Sequence, residues 1–173
     1  MYIEIANLLK KKGLGTEAID FKIRAYEFFE DLEKYSNSCV LAELATNLSQ
    51  WMEEQNLIDE AIQKLEKALD IYQNLYGTDD HRACRVKRRI ALIFLRCNQF
   101  TEALKQLREV ECIERTVYGD SSVSLAKTLK VIGTLLIIQG NKDEAKHCLN
   151  EALMVFELKG HTKLIKETAM KLK

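Results

Sequence analysis

The sequence predicts an all-α protein built from stacked pairs of helices. Alanine recurs with a period of about 42 residues, since Ala61, Ala103 and Ala145 are 42 residues apart and Ala18 precedes Ala61 by 43. Seven residues after these positions stand Ala25, Ala68, Val110 and Ala152. Self-similarity at a fixed period of this size indicates a repeat array, in which each unit buries its apolar face against its neighbours.

The segment 90–119 shows one repeat unit as helix, turn and helix. Small residues at Ala91 and Ala103 let two helices approach closely, while Phe94 and Phe100 fill the space beside them. The polar Asn98 between the two aromatic residues predicts the turn. We expect four such units and a terminal helix in a single domain, at about 1–35, 36–77, 78–119, 120–160 and 161–173.

Each unit begins and ends with recognisable signals. Ser38 is a candidate N-cap for the second unit, Asp80 suits the helix N-terminus of the third, and Asp120 suits that of the fourth. Gly77 and Gly119 predict helix ends, because glycine accepts the left-handed conformation that often terminates a helix. After Gly160, the apolar residues Ile165, Ala169 and Leu172 predict the terminal helix.

The repeated phrases resemble the tetratricopeptide repeat in its longer, kinesin-light-chain-like form. The residues that carry this resemblance are NLIDEA at 56–61, NQFTEA at 98–103, GNKDEA at 140–145, ALDIYQNLYG at 68–77, VECIERTVYG at 110–119 and GTDDHR at 77–82. The resemblance covers nearly the whole chain. It implies a right-handed superhelical solenoid of antiparallel helix pairs, and a function limited to binding proteins or peptides on a scaffold.

The chain departs from the usual pattern of this family. It contains no proline, and Arg82 stands where the light-chain linker usually has one. An ordinary repeat has about 34 residues, so eight extra residues lengthen each helix by about 6 Å.

Composition narrows the class of protein. With 47% hydrophobic and 30% charged residues, the chain is not of the disordered class. The 26 basic and 26 acidic residues cancel, so no global field favours nucleic acid or anionic membranes. We expect neither a signal peptide nor a membrane span. Five cysteines without a CxxC pair predict reduced thiols and a cytoplasmic protein. Association with the cytoskeleton or with cilia stays open.

No arrangement in the sequence predicts catalysis. The three histidines, His81, His147 and His161, have no spacing typical of a metal site, and no histidine can be assigned to activate a cysteine. A glycine-rich phosphate loop is also missing from the sequence. We therefore expect no enzyme, no metal and no cofactor.

The family resemblance implies a peptide-binding groove on the first helices of successive units. The positions that match its lining residues are Asn47 and Gln50 in the second unit, Arg85, Arg88, Arg89, Leu92, Leu95 and Arg96 in the third, and Lys127, Lys130, Thr134 and Ile137 in the fourth. The basic part of this set favours an acidic peptide. We expect charge reversal of Arg85 and Arg88 to abolish its binding without loss of stability. The competing interpretations are a solvated charged surface and, for the leucines and isoleucine, ordinary helix packing.

Three functional classes follow. The first is a non-catalytic interaction module or adaptor that binds an extended, acidic peptide segment. The second is a structural segment of a longer repeat scaffold, such as a cytoskeletal, motor-adaptor or ciliary complex, that assembles through its end faces or with further copies of itself. The third, nucleic-acid binding through Arg82, Arg85 and Lys87, is the weakest, because no aromatic stacking platform stands beside the arginines. A short first helix and an incomplete last unit lead us to expect further repeats or end-to-end self-association.

Overall fold

The computed structural model describes residues 4, 8–9, 11–32 and 37–172, and within them all regular structure is helical. The helices are α1 (Gly15–Asp31), α2 (Cys39–Glu54), α3 (Ile58–Tyr76), α4 (His81–Arg96), α5 (Phe100–Tyr118), α6 (Val123–Ile138), α7 (Lys142–Leu158) and α8 (Thr162–Lys171). The predicted all-α class is confirmed. Most of the predicted first helix lies outside the described residues.

Left-handed backbone marks the turn inside each unit. The residues at this turn are Gly13, Asn56, Asn98 and Gly140, with φ of 80°, 63°, 61° and 82°. Only glycine and, less easily, asparagine or aspartate adopt this conformation without large steric cost. The repeated Gly/Asn position in the sequence is therefore a backbone requirement of the helix–turn–helix unit.

The helix ends follow the sequence signals. Gly77 and Gly119 end α3 and α5 with φ of 91° and 76°. The Ser38 hydroxyl accepts a hydrogen bond from the Leu41 N–H at 3.2 Å, and Asp80 Oδ1 accepts one from the Arg82 N–H at 2.8 Å. At the fourth unit the cap is Ser122, two residues beyond the predicted Asp120.

The chain forms two compact units, residues 1–86 and 87–173. In the first, α2 packs against both α1 and α3, and the buried residues include Leu41, Leu48 and Tyr72. In the second, α6 packs against α5 and α7, and α7 packs against α8. Leu107 and Phe156 are buried in its core. The single-domain organisation and the four repeat boundaries stay predictions.

Close helix approach depends on small residues at one repeat position. Ser49, Ala91 and Gly133 stand 42 residues apart and are buried. At Gly133 the approach of α6 to α7 leaves no space for a side chain, because an added Cβ would lie 2.7 Å from Leu149 Cγ and 3.2 Å from the Ala145 carbonyl oxygen. The fourth unit therefore requires glycine where the second unit holds serine.

Candidate functional site

In the first compact unit, two of the predicted groove residues lie at one polar pocket. Asn47 of α2 and Arg85 of α4 line it together with Glu43 and Thr46, and its volume is about 250 Å³. We call it the Arg85 pocket. Gln50, also predicted for the groove, is exposed on α2 one turn further along.

The Arg85 pocket combines an available cation with an available amide. Arg85 and Asn47 are both exposed, and neither makes a hydrogen bond or an ion pair with another described residue. Thr46 instead donates its hydroxyl hydrogen to the Ala42 carbonyl oxygen at 2.8 Å. A guanidinium group can bind a carboxylate with two parallel hydrogen bonds, and a primary amide can both donate to and accept from a peptide bond.

Tyr72 is buried close to the same charged residues. Burial raises the pKa of its phenol, Cys39 and Glu43 raise it further, and Arg85 and Arg82 lower it. The hydroxyl group is buried and has no hydrogen-bond partner among the described residues. The phenol therefore stays protonated and neutral beside the Arg85 pocket at neutral pH.

In the second compact unit, Arg88 belongs to a buried polar network. Its guanidinium Nη1 donates to Glu114 Oε1 at 3.1 Å, to the Ser124 carbonyl oxygen at 2.9 Å and to Thr128 Oγ1 at 2.6 Å. Only 12% of the Arg88 side chain is exposed, and none of the Glu114 side chain. The guanidinium group is therefore occupied by internal partners.

The Glu114 carboxylate is compensated on both oxygens. Ser124 Oγ donates to Oε1 at 2.5 Å and Thr128 Oγ1 donates to Oε2 at 2.6 Å, in addition to the Arg88 contact. A buried charge is tolerated only when it is paired and hydrogen-bonded. Sequence reasoning missed this network. The available signal was an acidic residue at 114, where Tyr72 and Phe156 stand 42 residues before and after it.

The two predicted lysines of α6 have different environments. Lys130 Nζ lies 2.7 Å from Glu167 Oε2 of α8, and only 17% of its side chain is exposed. The hydrogen bond and the charge of Lys130 lower the pKa of Glu167 below its ordinary value. Lys127 is exposed and has no ion-pair partner among the described residues. Lys127 is thus available to a ligand, whereas Lys130 joins α6 to α8.

The remaining predicted groove residues divide between surface and core. Leu92 and Ile137 are about 40% exposed, whereas Leu95 packs partly buried against the core cluster of the second unit. Thr134 donates its hydroxyl hydrogen to the Lys130 carbonyl oxygen at 2.8 Å. Arg89 and Arg96 both interact with other groups of the protein. For Leu95 the packing interpretation is the better description.

The described residues contain no cluster of three or more histidine, cysteine, aspartate or glutamate side chains that could hold a metal ion. All five cysteines are free, and two of them, Cys84 and Cys148, are buried. No helix within this part of the chain is long and apolar enough to span a membrane.

The fold and this site define a helical-repeat protein with open polar surfaces. Residues 40–111 match the family described as Tetratricopeptide repeat, which confirms the resemblance predicted from the sequence. No curated protein sequence matches the chain.

Solved structures share the fold over nearly the whole chain. BtubC (BKLC) from P. vanneervenii is 20% identical with a TM-score of 0.82, over 96% of this chain and 67% of that one. A putative kinesin light chain from Podosopora anserina, with nearly identical TPR-like repeats, is 14% identical with a TM-score of 0.70, over 99% and 91%. A Rap protein complexed with Competence and Sporulation Factor is 19% identical with a TM-score of 0.73, over 99% and 46%.

Proposed function

We propose that this protein is a non-catalytic interaction module that binds an extended, acidic peptide segment of a partner protein. The observation that carries this proposal is the Arg85 pocket, where a cation and an amide are exposed side by side without internal partners. Tetratricopeptide repeats are interaction scaffolds in general. A structure of similar fold was solved with a bound factor, which supports the same class of function.

The chemistry of the Arg85 pocket favours an acidic peptide over a neutral one. The guanidinium of Arg85 would bind a carboxylate, and the Asn47 amide would bind a peptide bond of the same extended segment. Glu43 at the pocket edge sets a limit, because its carboxylate repels an acidic side chain placed beside it. We therefore expect one carboxylate to be bound at Arg85 and polar or basic residues to lie near Glu43.

The second compact unit offers its own binding surface on α6. Lys127 is the available cation, and Ile137 supplies exposed apolar area on the same helix. Arg88 and Lys130 contribute little to this surface, because Glu114 and Glu167 already compensate their charges. This places ligand recognition on fewer cations than the sequence predicts.

The test is the affinity for a short labelled peptide rich in aspartate and glutamate, with a lysine-rich peptide of the same length as the comparison. Arg85→Glu should weaken binding of the acidic peptide by about tenfold or more, because it removes a charge-assisted contact and adds repulsion. Asn47→Ala should weaken it less. Rising salt should lower the wild-type affinity, because these contacts are near the surface.

Lys105→Glu is the matched control, because Lys105 is exposed on α5 and the change in net charge is the same. Equal affinity of the Arg85→Glu and Lys105→Glu proteins would contradict the proposal. Preferential binding of a single-stranded oligonucleotide would also contradict it, in favour of the nucleic-acid class.

A further inference from the structure

The zero net charge of the chain conceals opposite charges on its two compact units. Residues 1–86 contain 10 basic and 16 acidic residues, and residues 87–173 contain 16 basic and 10 acidic residues. The first unit therefore carries a formal charge of −6 and the second a charge of +6. Such a division gives two copies of the same chain surfaces of opposite sign.

The second unit carries a pocket surrounded by three lysines. Lys142, Lys146 and Lys171 line it together with Ile137, Ala145, Leu149 and Leu172, and its volume is about 350 Å³. We call it the lysine pocket. Its floor is apolar, because Ala145 and Leu149 are nearly fully buried side chains.

The fold alone does not account for these lysines. None of the three forms an ion pair with a described residue, and Lys142 and Lys146 are four residues apart on α7. Like charges at this spacing repel one another and destabilise a helix. Uncompensated ammonium groups around an apolar floor fit a partner surface that presents carboxylates around an apolar side chain.

The first unit presents such a surface on α1. Glu17, Asp20, Glu27 and Asp31 are exposed at helical spacing along one side of this helix, and none pairs with a described residue. We call this side the acidic face. Phe28 lies within it and is 55% exposed. Arg24 is the basic residue on the same side, and it contacts the Phe21 ring.

We propose that the acidic face of one copy binds the lysine pocket of a second copy. The Phe28 ring enters the pocket, and Glu27 and Asp31 pair with the surrounding lysines. The two surfaces are different patches of one chain, so the contact is heterologous and produces a ring or a growing chain of copies. This inference does not depend on the Arg85 pocket, because neither surface includes Arg85 or Asn47.

The test is the molar mass of the full chain alone, measured by light scattering or sedimentation over a wide concentration range at low and at high salt. We expect mass to rise with concentration and the rise to weaken at high salt, because exposed ion pairs are screened. Lys142→Glu with Lys146→Glu should weaken association by about tenfold or more, and so should Glu27→Lys with Asp31→Lys. An equimolar mixture of the two double variants should associate, because one variant keeps the acidic face and the other keeps the lysine pocket.

Lys105→Glu with Lys159→Glu is the control, since both lysines are exposed in the second unit and the charge change equals that of the pocket variant. It should associate more strongly than the pocket variant, and circular dichroism should show all three double variants folded. Phe28→Ala, which keeps every charge, should also weaken association. A wild-type protein that stays monomeric at all concentrations would overturn the proposal, as would equal loss of association in the control.

Discussion

Tyr72 in the first compact unit and Glu114 in the second stand at equivalent positions, 42 residues apart, and both are completely buried. Tyr72 fills its place with an aromatic ring whose hydroxyl has no partner among the described residues. Glu114 fills its place with a charge that Arg88, Ser124 and Thr128 compensate. The position therefore accepts either an aromatic ring or a carboxylate, provided that the neighbouring residues match.

The comparison explains why only one of two nearby arginines is available to a ligand. In the first unit the residues equivalent to Arg88 and Thr128 are Thr46 and Val86, which could not compensate a buried carboxylate. In the second unit Glu114 binds Arg88 and removes its charge from the surface. Arg85, three residues earlier on the same helix, has no such partner. A buried acid on α5 thus decides which cation of α4 stays free.

The largest expected effect is the loss of the Arg88 side chain. Arg88→Ala leaves the Glu114 carboxylate buried without its cation, and breaking a buried ion pair costs about 3–5 kcal/mol. We expect this decrease in the free energy of unfolding by urea denaturation. Replacing both residues by apolar ones, Arg88→Met with Glu114→Leu, should restore stability to near the wild-type value, because both buried charges are removed. A single variant as stable as the wild type would show that the network is not formed.

The second effect concerns the small-residue position of α6. Gly133→Val places methyl groups where even a Cβ would overlap Leu149, and overpacking of this kind typically costs about 1–3 kcal/mol. The equivalent Ser49→Ala in the first unit should cost less, since Ser49 already has a Cβ and loses only the hydrogen bond from its hydroxyl to the Thr46 carbonyl oxygen. Thermal unfolding of both variants measures the difference. Similar melting temperatures would indicate that α6 and α7 are not in close contact at Gly133.

The third effect is a small stabilisation in the first unit. Tyr72→Phe removes a buried hydroxyl without a partner, whose burial costs about 1–3 kcal/mol, so the variant should be more stable by roughly 1 kcal/mol. The pH dependence has a definite sign. Burial raises the pKa of folded Tyr72 above 10.0, so its contribution is fully present below pH 10 and is lost as pH rises through the folded pKa.

The free energy of unfolding should therefore fall less steeply above pH 10 in the Tyr72→Phe protein than in the wild type. Tyr26 has a raised pKa for the same main reason, burial, and will contribute to the remaining decline. Identical alkaline unfolding curves for variant and wild type would contradict the assignment of Tyr72 as a buried phenol.

The smallest effect compares two helix caps. Ser38→Ala in the first unit and Ser122→Ala in the second each remove one hydrogen bond to a backbone N–H, which is worth about 1 kcal/mol or less. We expect similar losses of stability for the two, because both serines use one hydroxyl in the same way. A clearly larger loss in one unit would show that its serine does more than cap a helix.

The sequence predicts the helices well because their signals are local or periodic. The 42-residue spacing and the Gly/Asn turns depend on backbone conformation, which neighbouring residues determine. Arg88 and Lys130 were harder to assign, since their partners Glu114 and Glu167 lie 26 and 37 residues away on other helices. Repeat position alone indicates which residues share a surface but not which charges are already compensated. The Arg85 pocket was half predictable, because Asn47 and Arg85 share the family position whereas Glu43 enters through packing.

The central claim is that Arg85, and not Arg88, is the cation that α4 offers to a ligand. The most direct measurement is the affinity of the acidic peptide for two variants, Arg85→Glu and the charge-neutral Arg88→Met with Glu114→Leu, each shown to be folded by circular dichroism. We predict that the first loses about tenfold or more in affinity and that the second binds like the wild type. A folded double variant that loses binding, beside an Arg85→Glu protein that retains it, would contradict the claim.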